Sequence, residues 1–329
     1  MQKPKRGNTW EVEISDAGEF VREATEFHGR ITASGGEFPA ARDRYHLYVS
    51  YACPWAHRTL IVRALKGLKD VITVNVVHPH LDDRGWHFAQ AEASPDGKLP
   101  PFPDTHDQLY GSTLLRELYN RSVPSGHYEG RITVPVLWDK QQHTVVNNES
   151  SEIIRLLNSE FNTFAKNPEL DLYPSALREK IDELNDWIYP SINNGVYRCG
   201  FATSQAAYEK AFDELFTALD RVEQLLGEHR YLTGATFTEA DVRLFTTLVR
   251  FDPVYHNHFR CNLRKLREYP NLWNYMLDIA QIPEVKDTIY LDHIKYHYYA
   301  SHKNINPTGI VPKGPAYDLD APHDRGRFG

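Results

Sequence analysis

The chain has 329 residues, 41% hydrophobic and 25% charged, with a formal net charge of −7. That length suits two domains of ordinary size, and the acidic balance excludes the basic face that nucleic-acid binding needs. No apolar run reaches the ~20 residues that span a bilayer, and the start "MQKPKRGNTWEVEISDAGEF" holds no apolar leader core. Residues 1–44 are polar and glycine-containing, and read as an irregular extension that wraps or frays. "YHLYVS" (45–50) reads as a strand, "PWAHRTLIVRALKGL" (54–68) as a helix and "DVITVNVVH" (70–78) as a second strand. Pro54 suits a first helical turn, where its missing N–H costs nothing. A strand–helix–strand unit of this spacing predicts parallel strands. A long insertion follows at 78–132, with the turn-rich "EASPDGKLPPFPDTHD" and a short helix in "STLLRELYNRS". "ITVPVLWD" and "HTVVNN" bracket the turn "DKQQ" as a hairpin, and "ESSEIIRLLNSEF" opens a helix.

The order βαβ, α, ββ, α is that of an α/β thioredoxin-like domain, placed at 45–161. Beyond it strand signals vanish. Residues 162–175 read as a linker, 176–300 as an all-helical domain and 301–329 as an extended tail. Helical patterns fall at 176–194, 204–227, 238–251 and 270–281. In "FTEADVRLF", Thr238 as N-cap with Asp241 three residues on forms a capping box, with a Phe237–Val242 staple across it.

Three cysteines, Cys53, Cys199 and Cys261, are too few and too widely spaced for a disulfide framework or a zinc cluster. They point to a cytoplasmic protein with reduced thiols. In "YACPWAHRTL" Cys53 ends a strand and starts a helix, where unpaired N–H groups and the helix dipole favour an anion; a lowered thiol pKa is expected. Ala56 stands where a resolving cysteine would be, so Cys53 must form a mixed disulfide with an external thiol. Glutathione is the obvious cellular candidate. Val134 precedes Pro135 at a strand start, and in thioredoxin-like folds the bond is cis and the preceding backbone pairs with the cysteinyl part of glutathione. Glu149 and Ser150 open a helix, where an N–H and a hydroxyl can take a carboxylate and Glu149 an ammonium, the two charges of a γ-glutamyl group. Plain capping by Asn148 explains the same residues equally well. His293 and His297 sit one helical turn apart, but no carboxylate stands between them as in H-E-x-x-H, so no metal is expected.

"YACPWAHRTLIVRALKGL", "TVPVLWD" with "NNESSEIIRLLN", "NNGVYRCGFATSQ", "RLFTTLVRFDPVY" and "DHIKYHYYASHKNINPTGIVP" together resemble the glutathionyl-hydroquinone reductases, the Xi class of glutathione transferases. The likeness runs from about residue 40 to 315. It implies the two-domain glutathione transferase fold, a homodimer, and catalysis in which Cys53 attacks the sulfur of a glutathionyl-hydroquinone and a second glutathione releases glutathione disulfide. It implies further that Val134, Glu149 and Ser150 hold glutathione, with Trp86 packing on its glycyl end and Arg131 meeting its carboxylate. Tyr197, Tyr255 and Tyr298 would ring the hydroquinone and stabilise the leaving phenolate. Two other readings remain: an Omega-like thioltransferase or dehydroascorbate reductase, and a non-catalytic transferase-fold binding module. The carboxy-terminal tyrosines weigh against the first and the retained Cys53 against the second.

Overall fold

The computed structural model describes residues 12–89 and 104–329. The first eleven residues, on which half of the leader reading rests, and most of the turn-rich stretch read at 92–107 lie outside the described residues. The first domain is built from β1 (Tyr45–Val49), α1 (Pro54–Leu65), β2 (Thr73–Val76), α2 (Arg116–Arg121), β3 (Val136–Asp139), β4 (Thr144–Asn147) and α3 (Ser150–Ser159). Its sheet runs β2-β1-β3-β4, with β1 parallel to β2, antiparallel to β3, and β3 antiparallel to β4. All of β1 is buried because both faces are covered. Tyr45 meets Phe161 beyond α3, while Tyr48, on the opposite face by strand alternation, meets Phe88 of the insertion and Trp138. At the start of β1, buried Arg44 bonds Asp139 Oδ2 through Nε at 2.8 Å and Nη2 at 2.5 Å.

α1 stops at Leu65, three residues before the periodicity predicts. Gly67 turns the chain at φ +67°, its N–H bonding the Ala64 carbonyl, and a Cβ there would fall 2.5 Å from Lys166 Cβ. β2 is also shorter than its apolar run, because Val71 and Ile72 spend their N–H groups on the Leu68 carbonyl.

The second domain holds α4 (Arg178–Ile188), α5 (Gly195–Phe201), α6 (Gln205–Glu228), α7 (Glu239–Leu248), α8 (Pro270–Ala280) and α9 (Leu291–Ser301). The patterns read at 176–194 and 238–251 each break into a helix and a wide π-helical turn, Tyr189–Asn193 and Phe251–Tyr255. Pro190 and Pro253 sit in these turns, where a residue without an N–H cannot extend the ordinary ladder. The capping box at α7 forms as expected, with Thr238 N–H donating to Asp241 Oδ2 at 2.8 Å. α1 packs between α3 of its own domain and α7 of the second. Ile61 and Val62 are fully buried on α1, each side chain contributing about 1.5–3 kcal/mol. Among the described residues no helix is long and apolar enough to cross a membrane.

The amino-terminal segment from residue 12 is more than an irregular extension. His28 bridges Asn147 on edge strand β4, and Gly29 N–H bonds the Val146 carbonyl at 2.8 Å. The same arm reaches the second domain, where Thr203 N–H donates to the Gly18 carbonyl at 3.0 Å and Lys210 pairs with Glu19 at 2.9 Å. Gly18 has φ +83°, and a Cβ there would stand 2.8 Å from Ser204 N, so the close approach requires glycine. The tail folds back onto α6, with buried Arg325 donating to the Leu226 carbonyl at 2.9 Å.

Candidate active site

Cys53 is the N-cap of α1, with extended backbone at φ −75° and ψ 122°. Its half-buried thiol donates to the Val134 carbonyl at 3.5 Å, and the Val134–Pro135 bond is cis. Ala56, fully buried one helical turn on, leaves the thiol no partner in its own helix. Cys199 and Cys261 are buried and unbridged, and the Cys261 thiol faces the Val196 and Phe259 carbonyls. The expected lowering of the Cys53 pKa is not what the site produces. Burial pushes the thiol up, and the Ala56 and Trp55 N–H groups with the charges of Arg250 and Arg22 only partly offset this. The helix start supplies donors as the sequence suggests, but the cavity wall withholds the water that would solvate a thiolate.

One cavity of about 470 Å³ lies over Cys53, within the range of about 300–1,000 Å³ found for small-ligand sites. It brings together Cys53, Trp86, Arg131, Val134, Glu149, Ser150, Tyr197 and Tyr298. Tyr255 does not line it: the ring is fully buried behind the wall, with its hydroxyl 3.1 Å from that of Tyr298. Tyr298 also bonds Tyr197 hydroxyl to hydroxyl at 2.5 Å and is the hub of the three phenols. Burial, with the neighbouring phenols adding to it at Tyr197 and Tyr298, pushes all three pKa values up, so each stays a proton donor at neutral pH.

On the opposite side, Glu149 itself caps α3, accepting from Ser151 N at 3.0 Å and from Thr25 Oγ1 at 3.3 Å. Asn148 is not the cap; its side chain accepts from Phe27 N and donates to Tyr119. Ser150 is buried, with the Arg58 guanidinium 3.4 Å from its hydroxyl. Trp86 stacks on His297 at 5.1 Å and 17°, and His297 is committed through Nδ1 to the Pro79 carbonyl at 2.9 Å. Arg131 lies 3.9 Å from Glu23 of the arm. Among the described residues no three His, Cys, Asp or Glu side chains are placed to share a metal ion.

Several lining groups escape a sequence reading. Arg22 of the arm lies over Trp55 at 4.0 Å and Tyr197 at 5.0 Å, and donates to Asn194 Oδ1 at 2.7 Å. Nothing in a short polar segment without periodicity announces that. Arg58 does not line the cavity but stands buried behind Ser150, and its place on α1 gives no signal of that.

A thioredoxin-like domain docked on an all-helical one, with a cysteine-centred cavity where they meet, is the arrangement of a glutathione transferase. The family models "Glutathione S-transferase, N-terminal domain" and "Glutathione S-transferase, C-terminal domain" match residues 52–160 and 205–277. The chain is 52% identical to the glutathionyl-hydroquinone reductase YqjG of Escherichia coli, over 98% of this chain and 97% of that one. The glutathione-bound structure of YqjG superposes with a TM-score of 0.85 at 53% identity, covering 92% of this chain and 96% of that one. The Xi glutathione transferase of Phanerochaete chrysosporium superposes at 0.90 with 49% identity, covering 97% and 100%. This chain belongs to the Xi class of glutathione transferases, the family of the glutathionyl-hydroquinone reductases.

Proposed function

We propose that the protein reduces glutathionyl-hydroquinones to hydroquinones at the expense of glutathione. The observation that carries this is a single cavity lined by a thiol without a resolving partner and by the hydroxyls of Tyr197 and Tyr298. The Cys53 thiolate attacks the glutathionyl sulfur, forming an S–S bond as the sulfur–ring bond breaks. The electron pair stays on the ring, which takes up a proton and leaves as hydroquinone. A second glutathione thiolate then attacks the mixed disulfide, releasing glutathione disulfide and restoring Cys53. The ring has gained two electrons, and two glutathione sulfurs have lost them, one the substrate's thioether and one the incoming thiol.

The chain's groups divide this work by their chemistry. Val134 offers its carbonyl to the cysteinyl N–H of glutathione. Ser150, with the Arg58 cation behind it, suits the γ-glutamyl carboxylate, and Glu149 the γ-glutamyl ammonium. Trp86 packs against the glycyl end, and Arg131 meets its carboxylate. The three linked phenols spend two protons on their own bonds and leave one O–H, from Tyr197 or Tyr298, to donate to the leaving phenolate, while Tyr255 orders Tyr298 from behind. The homodimer that the resemblance implies belongs to the same proposal, and light scattering should give twice the 38.0 kDa of one chain.

The test is to incubate the protein with a glutathionyl-hydroquinone and read both free hydroquinone and a glutathione adduct on Cys53 by intact mass. Absence of the adduct, or full activity in Cys53→Ala, would sink the mechanism.

A further inference from the structure

Arg250, just past the end of α7, is fully buried where the two domains meet. Its Nε donates to the Ala52 carbonyl at 2.9 Å and its Nη2 to the Tyr51 carbonyl at 3.0 Å, across 198 and 199 residues of chain. Its Nη1 donates to the Thr246 carbonyl at 2.7 Å and to His57 Nδ1 at 3.0 Å. Since His57 accepts at Nδ1, its Nε2–H donates to Thr288 Oγ1 at 2.8 Å, and Thr288 in turn donates to the Val285 carbonyl at 2.6 Å. Every partner of this guanidinium is neutral: burial, reinforced by Arg250, holds His57 well below its ordinary range. Among the described residues no carboxylate pairs with Arg250. A cation sealed away without a counter-ion is costly; buried Arg325 likewise bonds only main-chain carbonyls, those of Leu226, His229 and Arg230, whereas the carbonyls that Arg250 holds lead directly into the thiol.

We propose that Arg250 is a positioning residue for Cys53, supplied by the second domain, which acts as the counter-charge of its thiolate. The fork does two things. It draws the Tyr51 and Ala52 carbonyl dipoles onto itself, so that neither faces the sulfur one residue on. It also sets a fixed positive charge behind the thiol, which offsets part of the rise that burial imposes. The proposal rests on the reading of Cys53 as nucleophile, and ties that nucleophile's charge to docking of the helical domain. The other titratable or charged groups facing Cys53 are Arg22 from the arm, Arg58 from α1, Tyr197 from α5 and Tyr255 from the second π-helical turn. Facing Arg250 besides His57 and Tyr255 are His297 and Tyr298 of α9. The histidines and phenols are neutral, Arg22 is held by Asn194 and Arg58 is turned toward Ser150, which leaves Arg250 as the cation bound to the residues leading into the thiol.

The test is the pH profile of Cys53 alkylation by iodoacetamide in the full chain, read by intact mass with no hydroquinone present and with Cys53→Ser as background. Arg250→Gln should move the profile up by about one pH unit or more, a loss of about tenfold in rate at pH 7. Arg250→Lys, which keeps the charge and loses the fork, should move the profile up by less than Arg250→Gln does while lowering the melting temperature. His57→Glu keeps Arg250 but gives it a carboxylate of its own, and should shift the profile as Arg250→Gln does; it decides the matter if Arg250→Gln does not fold. A wild-type profile in folded Arg250→Gln, or in His57→Glu, overturns the proposal. Because no substrate is involved, the profile is readable even if the hydroquinone reading fails, and turnover can stand if the profile does not move.

Discussion

The two ends of β1 each meet a buried arginine, and the two are treated differently. Arg44, at the start, closes on Asp139 by donating two bonds to one oxygen, an ion pair that is complete in the folded chain. Arg250, beyond the other end, holds four neutral acceptors and has no carboxylate among the described residues. The first arrangement serves only the fold. The second leaves positive charge unspent beside a thiol, where it favours an anion. The same contrast holds at the domain interface, where Arg155 finds buried Glu239 at 2.7 Å while Arg58 finds only Ser150.

That contrast can be broken from either end. Asp139→Asn should have the largest effect, because it strands the Arg44 charge in the core. A loss of about 3–5 kcal/mol is expected in chemical denaturation, with the Cys53 alkylation profile unchanged in the folded fraction. Equal stability would mean that Arg44 needs no partner, and the distinction between the two arginines would fall. Tyr298→Phe should act in the opposite sense, on turnover more than on the fold. Losing the hub phenol should lower kcat about 10–100-fold with little change in the KM for glutathione, and should cost about 1 kcal/mol through the lost hydroxyl–hydroxyl bonds. The smallest effect sharpens rather than breaks the comparison. With burial pushing the Cys53 thiol up, the thiolate fraction is low at neutral pH and grows as pH rises. Wild-type alkylation should therefore still be climbing above about pH 8.5, where an ordinary cysteine is half ionised. A plateau below pH 7 would contradict it.

Much of the site was legible because its signals are local. The thiol at a strand–helix junction, the alanine where a second thiol would stand, and the hairpin proline each declare themselves within a few residues. So did the capping box at Thr238, whose four residues contain their own hydrogen bonds. Eight of the nine named side chains line one cavity, and Tyr255 stands one hydroxyl behind it. What stayed hidden depends on pairs far apart in the chain. Arginine normally reads as surface, so neither Arg58 nor Arg250 stood out as buried. The rise in the thiol's pKa was missed for a related reason: a helix start can be read from three residues, but the wall that dries it comes from the arm and from α5 and α9. The arm had no apolar period to show where it would lie.

That arm has a consequence for the order in which the protein can be completed. Its residues leave the ribosome long before their partners: Arg22 waits 172 residues for Asn194 and Glu19 waits 191 for Lys210. At ~5–20 residues per second that is roughly 9–38 s of synthesis. Through that interval β1, α1 and the hairpin can assemble, but Cys53 stands open to whatever thiols and disulfides surround the nascent chain. A cysteine that burial keeps protonated once the wall closes is therefore most exposed to oxidation while the protein is being made.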